Sequence, residues 1–455
     1  MEKTFAIRDP VHNYITVNKV ELNLIDSTYL QRLRWISQLS GVRLVFPGAQ
    51  HSRIAHAMGV MHLAGEYAKQ VYGEHKKSEL NHKVQLARLA GLLHDVGHGP
   101  FSHAFDDTVY RDLYPNSPHG HDLHRFKIIE SDFLLPYIED CGVSTTELSD
   151  LWQGKDRVMQ AITQGALGAD RMDFMLRDAY YAGTSHFGSI ASKRLISNAL
   201  IEDHENVPSL HYNLKVLEDI FQSLLGRFYM YRGVYFHKAS AAADILIRKL
   251  LDSAKDHLNL AERTKNLEEY QWLNEYTLIG EIMASKDPEM NQAKDYTKRL
   301  LSRDLPKLVW ESTLPESNVK GISGNLEDDA KTIAYGQFIK HVEIEAKHRN
   351  IPSPNLYITN TYPMSTIDSK EFEVGNIFIW DAKNTFSPKK KSYTLQEAMN
   401  NTAYFRSFIS QVDANRERYV MIRVFSDVGD SQWIRKFAED RFIDSSEPSI
   451  DETSY

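Results

Sequence analysis

The clearest pattern of apolar residues lies at 81–93, where they recur with helical spacing. Positions 84, 86, 87, 89, 90, 92 and 93 are Val, Leu or Ala, which predicts a mostly buried helix. The helix should end before Gly97 and Pro100, directly after His94 and Asp95. A buried Asp beside a His is costly unless a counter-charge binds, and a divalent cation is one such partner.

Helical spacing recurs along much of the chain and gives way to β-type runs near its end. The pattern predicts an extended N-terminal segment and a mainly α fold, with a smaller α+β lobe from residue 350. The predicted helices are 22–39, one opening at 51–56 and running to about 72, 81–93, 122–139, 144–164, 170–183, 216–232, 236–258 and others to about 345, with a short strand pair at 208–215. The lobe should contain strands at 355–359, 376–380 and 419–425 and a helix at 395–412; loops are predicted at 110–123 and 320–328, and a mobile acidic tail after Ser445.

Composition narrows the class of protein. The chain has 455 residues, 25% charged and 42% hydrophobic, which suits a soluble protein with more than one domain. It lacks both a ~20-residue apolar run and a signal segment, so we expect no membrane contact and a cytoplasmic location. With one cysteine, Cys141, any metal must be bound by His, Asp or Glu. The net charge of −8 argues against a nucleic-acid partner but allows a small anionic substrate at a local cationic cluster.

Four residues from different predicted helices form a candidate ligand set for one metal ion: His56, His94, Asp95 and Asp170. Taken singly, each has a simpler explanation, such as a packed histidine at a helix start or an aspartate N-cap. Successive helical residues point about 100° apart, so His94 and Asp95 can reach one ion only from a helix end, where they lie. Two imidazoles and two carboxylates suit Mg²⁺, Mn²⁺, Fe or Zn²⁺ and leave positions open for water or phosphate oxygens.

The order and context of these residues resemble those of the HD-domain deoxynucleoside triphosphate triphosphohydrolases, which include the dGTPase-like enzymes and the SAM-and-HD-domain protein. The signature GLLHDVGHGPFSHAFD at 91–106 carries most of the resemblance, and stretches at 9–12, 31–34, 46–53, 170–178 and 235–238 match in the same order. The similarity is strong over about 5–260. It implies an HD-domain helical core that hydrolyses dNTPs to deoxynucleoside and tripolyphosphate by attack of water on the α-phosphate.

The resemblance also implies roles around the ion. The four candidate ligands would bind one divalent metal. Four further residues would lie beside the phosphates and the scissile bond: His98, His103, Asp106 and His121. A protonated histidine supported by a carboxylate can donate to the leaving 5′-oxygen, and both His98 with Asp106 and His121 are candidates for that relay. Asp122 stands where relatives usually have Glu.

Other matching positions concern the nucleotide. By resemblance, contacts at or near the phosphates fall to Arg53, Arg171, Arg227 and Lys238, contacts to the sugar 3′-hydroxyl to Gln38 and Asp178, and packing against the 2′ position to Leu39 and Tyr235. An extra 2′-hydroxyl would clash there, although apolar exclusion typically discriminates modestly. The chain departs from its relatives at Phe174, which often is Tyr and lies near the sugar, at Phe236 and at Gly168. These differences bear on base choice and phosphate contacts, not on the metal chemistry.

Asp26, Gln31 and Arg34 match a guanine-reading regulatory pocket in the family. The pattern alone has a simpler reading, a solvated helix face that also includes Arg32. The resemblance implies activation by a guanine nucleotide. Because such pockets lie between subunits, it also implies a homo-oligomer, a tetramer formed as a dimer of dimers. Phe5 stands where some relatives have a phosphate-binding Lys.

The predicted organisation has four parts. An N-terminal segment with allosteric and oligomer contacts is expected at 1–50, the HD catalytic core at 51–185, a helical extension completing the substrate pocket at 186–349, and the α+β lobe at 350–455. Two alternatives stay open: an HD-domain nucleotidase or phosphodiesterase with a different phosphate product, and a nucleotide-gated binding protein. The lysines at 389–391 are predicted to form a solvated turn, with a local nucleic-acid patch as the alternative.

Overall fold

A β-hairpin and two short helices begin the chain. In the computed structural model, which describes residues 3–117, 119–315, 328–349, 351, 355–361, 376–406, 419–427 and 432–442, β1 (Thr4–Asp9) pairs antiparallel with β2 (Asn13–Asn18). Helices α1 (Lys19–Ile25) and α2 (Thr28–Arg32) follow, then a 3-10 turn at Leu33–Trp35. The single helix predicted at 22–39 is wrong, because Ser27 and Ile36 adopt extended backbone angles.

Two long helices, α3 (Arg53–Val71) and α4 (Lys77–Leu93), form the centre of the fold. They run antiparallel, since Gly91 lies beside Val60 while Arg88 lies beside Gly65. A side chain on Gly91 would approach the backbone of Val60 to 3.0 Å, so glycine permits this close packing. Both helices confirm the predictions from apolar spacing.

Short helices surround this pair. An irregular helix passes through α5 (His103–Phe105), a π-helical turn (Asp106–Tyr110) and α6 (Arg111–Leu113), and is followed by α7 (Gly120–Ile129), α8 (Leu135–Asp140), α9 (Thr145–Trp152), α10 (Arg157–Gln164), α11 (Ala169–Ala182) and α12 (Ser192–Ile196). The loop predicted at 110–123 is thus partly helical. The helices predicted at 122–139 and 144–164 are each split in two. In the second, Gly154 has a left-handed φ of 76° and Asp156 caps a new helix, so the chain must turn.

Helix α11 packs on α3 and confirms the prediction for 170–183. A side chain on Gly59 of α3 would overlap the carboxylate of Asp173 on α11. Helices then complete the larger part of the molecule: α13 (Leu217–Met230), a π-helical turn (Tyr231–Tyr235), α14 (Lys238–Ala254), α15 (Leu260–Lys265), α16 (Leu267–Tyr270), α17 (Glu275–Ala284) and α18 (Asn291–Leu301).

The remaining strands form two small sheets. The elements are β3 (Ala199–His204), β4 (Val207–Asn213), β5 (Lys307–Pro315), α19 (Asp328–His348), β6 (Leu356–Thr361), β7 (Phe378–Trp380), β8 (Ser392–Thr394), α20 (Leu395–Asn401), β9 (Tyr419–Ser426) and α21 (Gln432–Phe442). The sheet orders are β3-β4-β7-β8 and β5-β9-β6. Strand β5 corrects the expectation of helix to about 345, and β3 was missed. Strands β6, β7 and β9 confirm the predicted β-runs.

Each sheet combines strands from both sides of residue 350. Strand β7 pairs parallel with β4, and β9 pairs antiparallel with β5. The second sheet has its own apolar core with α19 and α21, around Trp310, Phe338 and Val424. The predicted domain boundaries stay predictions, and sheet pairing crosses the one at 349/350.

The mainly α fold with a smaller α+β part confirms the predicted fold class. Among the described helices, none is both long and apolar enough to cross a membrane. The lysines at 389–391 lie in the turn between β7 and β8, as predicted. The single helix predicted at 395–412 is wrong, because α20 ends at Asn401 and Thr402 has extended backbone angles. Residues 407–412, the tail after Ser445 and nearly all of the loop predicted at 320–328 lie outside the described residues.

Candidate active site

The four predicted metal ligands converge on one space. His56 comes from the first turn of α3, His94 caps α4 and precedes Asp95, and Asp170 lies in the first turn of α11. Nε2 of His56 lies 3.2 Å from Oδ1 of Asp170, and Nε2 of His94 lies 3.7 Å from the same oxygen. Asp95 Oδ1 is 3.3 Å from Nε2 of His94. Asp170 does not cap its helix, because Gly168 is the N-cap residue.

The hydrogen bonds of the two histidines set their tautomers. Nδ1 of His94 lies 2.7 Å from the carbonyl oxygen of Gly91, which can only accept, so Nδ1 carries the proton. Nδ1 of His56 lies 2.8 Å from Oδ2 of Asp173 and donates in the same way. In its neutral form each ring therefore presents the lone pair of Nε2 to the shared space. Nε2 of His94 is buried and has no hydrogen-bond partner among the described residues.

The electrostatics of the cluster favour a positive charge. Burial alone would raise the pKa of Asp95, but the Arg53 guanidinium, with His94 and His98, holds it well below its usual range. The pKa of His56, which burial would lower, is raised to about 10 by Asp170 and Asp173. Without a metal, the site thus draws a proton onto His56. A divalent cation meets the same demand, and the donor set of two Nε2 atoms and two carboxylates fits one.

A buried network stands behind His56. Asp173 receives bonds from His56, from Nε2 of His12 at 2.6 Å, and from Nε and Nη2 of Arg177 at 2.9 and 3.0 Å. Arg177 also pairs with Asp9 at 2.8 Å. Arg177 and Asp173 are fully buried. Asp9 and His12 belong to the 9–12 stretch that carried the resemblance, and their contacts show that the stretch supports Asp173, the hydrogen-bond partner of His56.

Three histidines and an aspartate form a second cluster: His98, His103, Asp106 and His121. Nδ1 of His121 lies 2.8 and 2.9 Å from the two carboxylate oxygens of Asp106, whose Oδ1 also accepts from the His121 backbone N–H at 3.0 Å. Nδ1 of His98 is 3.8 Å from Asp106, and the His98 ring stacks on His121 at 3.7 Å. His103 approaches Asp106 at 3.3 Å, with 67% of its side chain exposed. Asp106 therefore orients His121 most directly.

The surroundings of His98 make it a poor proton donor, which distinguishes it as a candidate relay residue from His121. Burial, with the positive charge of Arg53 and the proximity of His121, holds the pKa of His98 well below its usual value. His98 is therefore neutral near pH 7. Burial would raise the pKa of Asp106, but hydrogen bonds from His103 and His121 lower it, so Asp106 is a carboxylate that can accept the Nδ1 proton of His121. Asp122 forms an ion pair within α7 with the buried Arg125 at 2.8 Å.

Arg53 links Asp95, one of the predicted metal ligands, to the loop that contains Ser102. Its guanidinium pairs with Asp95 and donates from Nε to Oγ of Ser102 at 2.7 Å. Ser102 has a left-handed φ of 54°, uncommon for a residue other than glycine. Its hydroxyl donates to the Ser37 carbonyl at 2.8 Å, and Ser37 in turn donates to the buried Glu275. The loop conformation is thus stabilised by contacts from distant parts of the chain.

The predicted sugar-side residues also meet. Asp178 accepts from Nε2 of His51 at 2.7 Å and from the Tyr235 hydroxyl at 2.6 Å. Phe174 packs edge-on to Tyr235, with 6.4 Å between ring centres. Leu39 lies in the same apolar cluster as Phe174 and Tyr235. His51 was absent from the predicted site residues, although its place in the 46–53 stretch was a usable signal.

The remaining predicted substrate residues occupy separate elements. Gln38 joins His51 through a backbone bond of 3.1 Å. Arg171, on α11, donates to the carbonyl of Gln164 at 2.7 Å. Arg227, on α13, is buried with its guanidinium 5.6 Å from the centre of the Tyr231 ring, and the exposed Lys238 begins α14. Their roles as substrate contacts stay predictions.

Of the predicted regulatory residues, Asp26 and Arg34 are exposed and Gln31 is partly exposed. Nε of Arg34 donates to Oε1 of Gln31 at 3.1 Å, and Gln31 donates to the carbonyl at the end of α1, one residue before Asp26. Arg32 does not belong to that solvated face. It is buried, and its Nη2 donates to the carbonyls of Val96 and His98 at 3.0 and 2.7 Å. The chain at 32–34 therefore directs one arginine to the backbone at 96–98 and another to solvent.

Comparison with known proteins extends this picture. The family model described as HD domain matches residues 53–178, the segment that contains both histidine clusters. The chain is 28% identical over 345 residues to the "Deoxynucleoside triphosphate triphosphohydrolase SAMHD1 homolog" of Dictyostelium discoideum, covering 72% of this chain and 65% of that protein. It is 26% identical over 369 residues to the "Deoxynucleoside triphosphate triphosphohydrolase SAMHD1" of Homo sapiens, covering 72% and 58%.

A bacterial relative shows a higher identity. The chain is 30% identical over 329 residues to the "Uncharacterized protein YwfO" of Bacillus subtilis (strain 168), covering 68% of this chain and 72% of that protein. Against the two relatives with a stated activity, the chain spans less than two thirds of their length. The matched HD segment, these identities and the convergent site agree, and the chain belongs to the HD-domain deoxynucleoside triphosphate triphosphohydrolase family.

Proposed function

We propose that this protein hydrolyses deoxynucleoside triphosphates to a deoxynucleoside and tripolyphosphate, using one divalent metal ion. The observation that carries the proposal is the convergence of His56, His94, Asp95 and Asp170 beside the oriented pair Asp106–His121. The printed activity of the relatives from Dictyostelium discoideum and Homo sapiens supports the choice of substrate.

The four ligands would hold the ion through two neutral imidazoles and two carboxylates. When bound, such an ion lowers the pKa of a coordinated water and polarises a phosphoryl oxygen. Asp170 is the most exposed of the four, with 28% of its side chain accessible, so the cluster opens toward solvent on its side. That opening is where the triphosphate would enter. The metal species, among Mg²⁺, Mn²⁺, Fe and Zn²⁺, is left to measurement.

The protein's own residues would divide the remaining work. His121, protonated and held by Asp106, would donate a proton to the leaving 5′-oxygen. Arg53 would contribute positive charge at the phosphates while it holds Asp95 in place. His98 and His103 would line the phosphate side of the site.

Sugar recognition would rest on Asp178 and its partners. With His51 and Tyr235 already bound to it, the Asp178 carboxylate is fixed in orientation and can accept from a 3′-hydroxyl. Gln38 would assist at the same hydroxyl. Leu39 and Tyr235 would pack against the 2′ carbon and exclude ribose. Arg171, Arg227 and Lys238 would complete the phosphate contacts.

Regulation is the finer part of the proposal. Asp26, Gln31 and Arg34 would read a guanine base, with the carboxylate accepting from the amino group and the guanidinium donating to O6. The exposure of Asp26 and Arg34 and the hydrogen bond between Arg34 and Gln31 support this role. Assembly into a tetramer would complete such a pocket.

A product assay tests the activity. Purified protein is incubated with each dNTP and NTP, with and without GTP or dGTP, and the products are separated by chromatography. Tripolyphosphate from dNTPs is the expected product, whereas orthophosphate or pyrophosphate would overturn the proposal in favour of another HD-domain phosphohydrolase. If GTP and dGTP change neither the rate on another dNTP nor the assembly state, the regulatory part fails.

A variant pair ties the activity to the site. His94→Ala should reduce the rate more than about 100-fold, because even outer partners of metal ligands cost 10–100-fold. His82→Ala is the matched control, since His82 lies on the surface and bonds Glu147 at 2.6 Å. Full activity in His94→Ala would show that the site assignment is wrong.

A further inference from the structure

A buried arginine of the second sheet reaches the helical part of the molecule. Arg423 lies on β9, the central strand of the β5-β9-β6 sheet, and is 6% exposed. Its Nη1 donates to the carbonyl oxygen of Phe236 at 2.6 Å, and its Nε pairs with Glu311 on β5. A buried guanidinium is costly unless its donors are paired. Here the carboxylate of Glu311 neutralises the charge of Arg423 within the sheet, and Nη1 binds the backbone carbonyl of Phe236 outside the sheet.

The segment that receives this bond lies between two helices. Phe236 follows the π-helical turn Tyr231–Tyr235 and precedes α14. Its own N–H donates to the carbonyl of Tyr231 at 2.8 Å. The segment carries Tyr235, whose hydroxyl donates to Asp178, and Lys238. A shift of the Phe236 peptide would therefore move residues on the proposed sugar and phosphate side of the site.

Strand β9 can hold the Arg423 side chain in a defined position. It is paired on both sides, with β5 along residues 307–315 and with β6 along 356–361. Its side chains Ile422 and Val424 are fully buried in the core of the second sheet. A donor on a doubly paired strand is held more precisely than one on a loop.

We propose that Arg423 is a positioning residue through which the β5-β9-β6 sheet holds the 231–238 segment in its nucleotide-binding conformation. The inference rests on the proposed function, because that function makes Tyr235 and Lys238 substrate contacts. It gives the β5-β9-β6 sheet a direct part in substrate affinity, while the metal cluster lies on α3, α4 and α11.

The test compares Arg423→Gln with Arg299→Gln. Arg299 pairs with Asp427, the residue after β9, at 2.6 and 3.1 Å, so its loss weakens the same sheet junction without touching Phe236. Arg423→Gln should raise the KM for a dNTP roughly tenfold, as expected for loss of one charged hydrogen bond. Its kcat and bound metal should stay within twofold. Arg299→Gln should leave KM unchanged, and Arg423→Lys, which keeps one donor, should recover part of the affinity.

Hydrogen exchange supplies a second measurement that needs no activity. In Arg423→Gln the amides at 231–238 should exchange faster than in the unaltered protein, while those at 86–93 in α4 should not change. An unaltered KM together with unaltered exchange at 231–238 would overturn the inference. An equal effect in Arg299→Gln would also overturn it, because the role would then be general support of the sheet. If the unaltered protein lacks dNTP hydrolysis, the proposed function fails, and the exchange data still decide whether Arg423 holds the segment.

Discussion

Asp173 Oδ2 lies 2.8 Å from Nδ1 of His56, on the side of the imidazole ring opposite the predicted metal site. This bond keeps the proton on Nδ1 and leaves the Nε2 lone pair for the ion. Burial would raise the pKa of Asp173, but Arg177, His12 and His56 hold it well below its usual range, so the acceptor stays ionised. A residue of α11 thereby determines which nitrogen of a residue of α3 is available to the proposed metal ion.

We expect Asp173→Asn to weaken metal binding by about 10–100-fold, because the neutral amide supports the His56 tautomer less strongly. Metal content after dialysis, measured by mass spectrometry, and titration of the apo-protein check this. His62→Asn is the control. His62 is also on α3, and its ring centre lies 5.2 Å from that of His12, which in turn bonds Asp173. Undiminished metal affinity in a folded Asp173→Asn protein would contradict the role of the bond.

The Asp106–His121 pair should dominate the proton transfer. His121→Asn should reduce kcat about 10²–10⁴-fold, the usual contribution of a general acid. Asp106→Asn should have a similar effect, and the double variant should be little worse than either alone, because the two residues act as one unit. Bound metal should be unchanged in all three.

His103→Asn serves as the comparison within the same cluster. Its side chain is 67% exposed, and it approaches the same carboxylate. We expect a smaller loss, of less than about tenfold. A loss at His103 as large as the one at His121 would show that the order of roles within the cluster is wrong.

Arg32 is buried and Arg34 is exposed, so their substitution should change the free energy of unfolding by different amounts. Arg32→Met leaves the carbonyls of Val96, His98 and Leu273 without their donor and should lower the free energy of unfolding by about 2–5 kcal/mol, since each unpaired buried acceptor costs roughly 1–3 kcal/mol. Arg34→Ala should change it by less than about 0.5 kcal/mol, as is usual at exposed positions. Denaturant unfolding measures both.

Arg34→Ala should instead abolish the response of the rate to guanine nucleotides. Basal turnover in the absence of nucleotide activator is the reference. If Arg34→Ala leaves the guanine response intact, the regulatory face at Asp26, Gln31 and Arg34 is misassigned, whatever the stability of Arg32→Met.

His124 should make stability depend on pH. Burial, with the positive charges of Arg32 and Lys127, lowers its pKa to about 3, whereas the unfolded chain has the ordinary value of about 6.5. Between these values the unfolded state binds a proton that the folded state does not, so stability falls as the pH drops from about 6.5 toward 3. The slope attributable to this group approaches ~1.4 kcal/mol per pH unit.

His124→Gln should flatten that slope. The glutamine can still bond the Tyr114 hydroxyl, which lies 3.1 Å from Nδ1 of His124. Unfolding midpoints at pH 7, 6 and 5 give the comparison. Parallel pH dependences in the two proteins would contradict a buried neutral His124.

The order of motifs in the sequence predicted that His56, His94 and Asp170 lie together. The structure places Oδ1 of Asp170 3.2 Å from Nε2 of His56 and 3.7 Å from Nε2 of His94, and the roles of the three residues stay predictions. Residues 81–93 and 170–183 are helical as their apolar spacing indicates, because each buries a continuous stripe on its neighbours. The spacing failed at 22–39. There Ser27 and Ile36 leave the helix, and the N–H of Ser37, next to Ile36, donates to the distant Glu275 instead of continuing a turn.

What the sequence by itself determined is the chemistry: which imidazoles and carboxylates exist, which helix ends carry them, and that a single cysteine cannot supply a set of thiolate ligands. Only the tertiary structure decided how they are held. The hydrogen bonds that hold them join residues separated along the chain: Asp173 with His56, Asp106 with His121, Arg32 with His98 and Arg423 with Phe236. Between Asp106 and His121 the chain folds back through a π-helical turn. Local spacing predicts a helix because its hydrogen bonds are local; it carries no information on which buried donor will meet which distant acceptor once the helices pack.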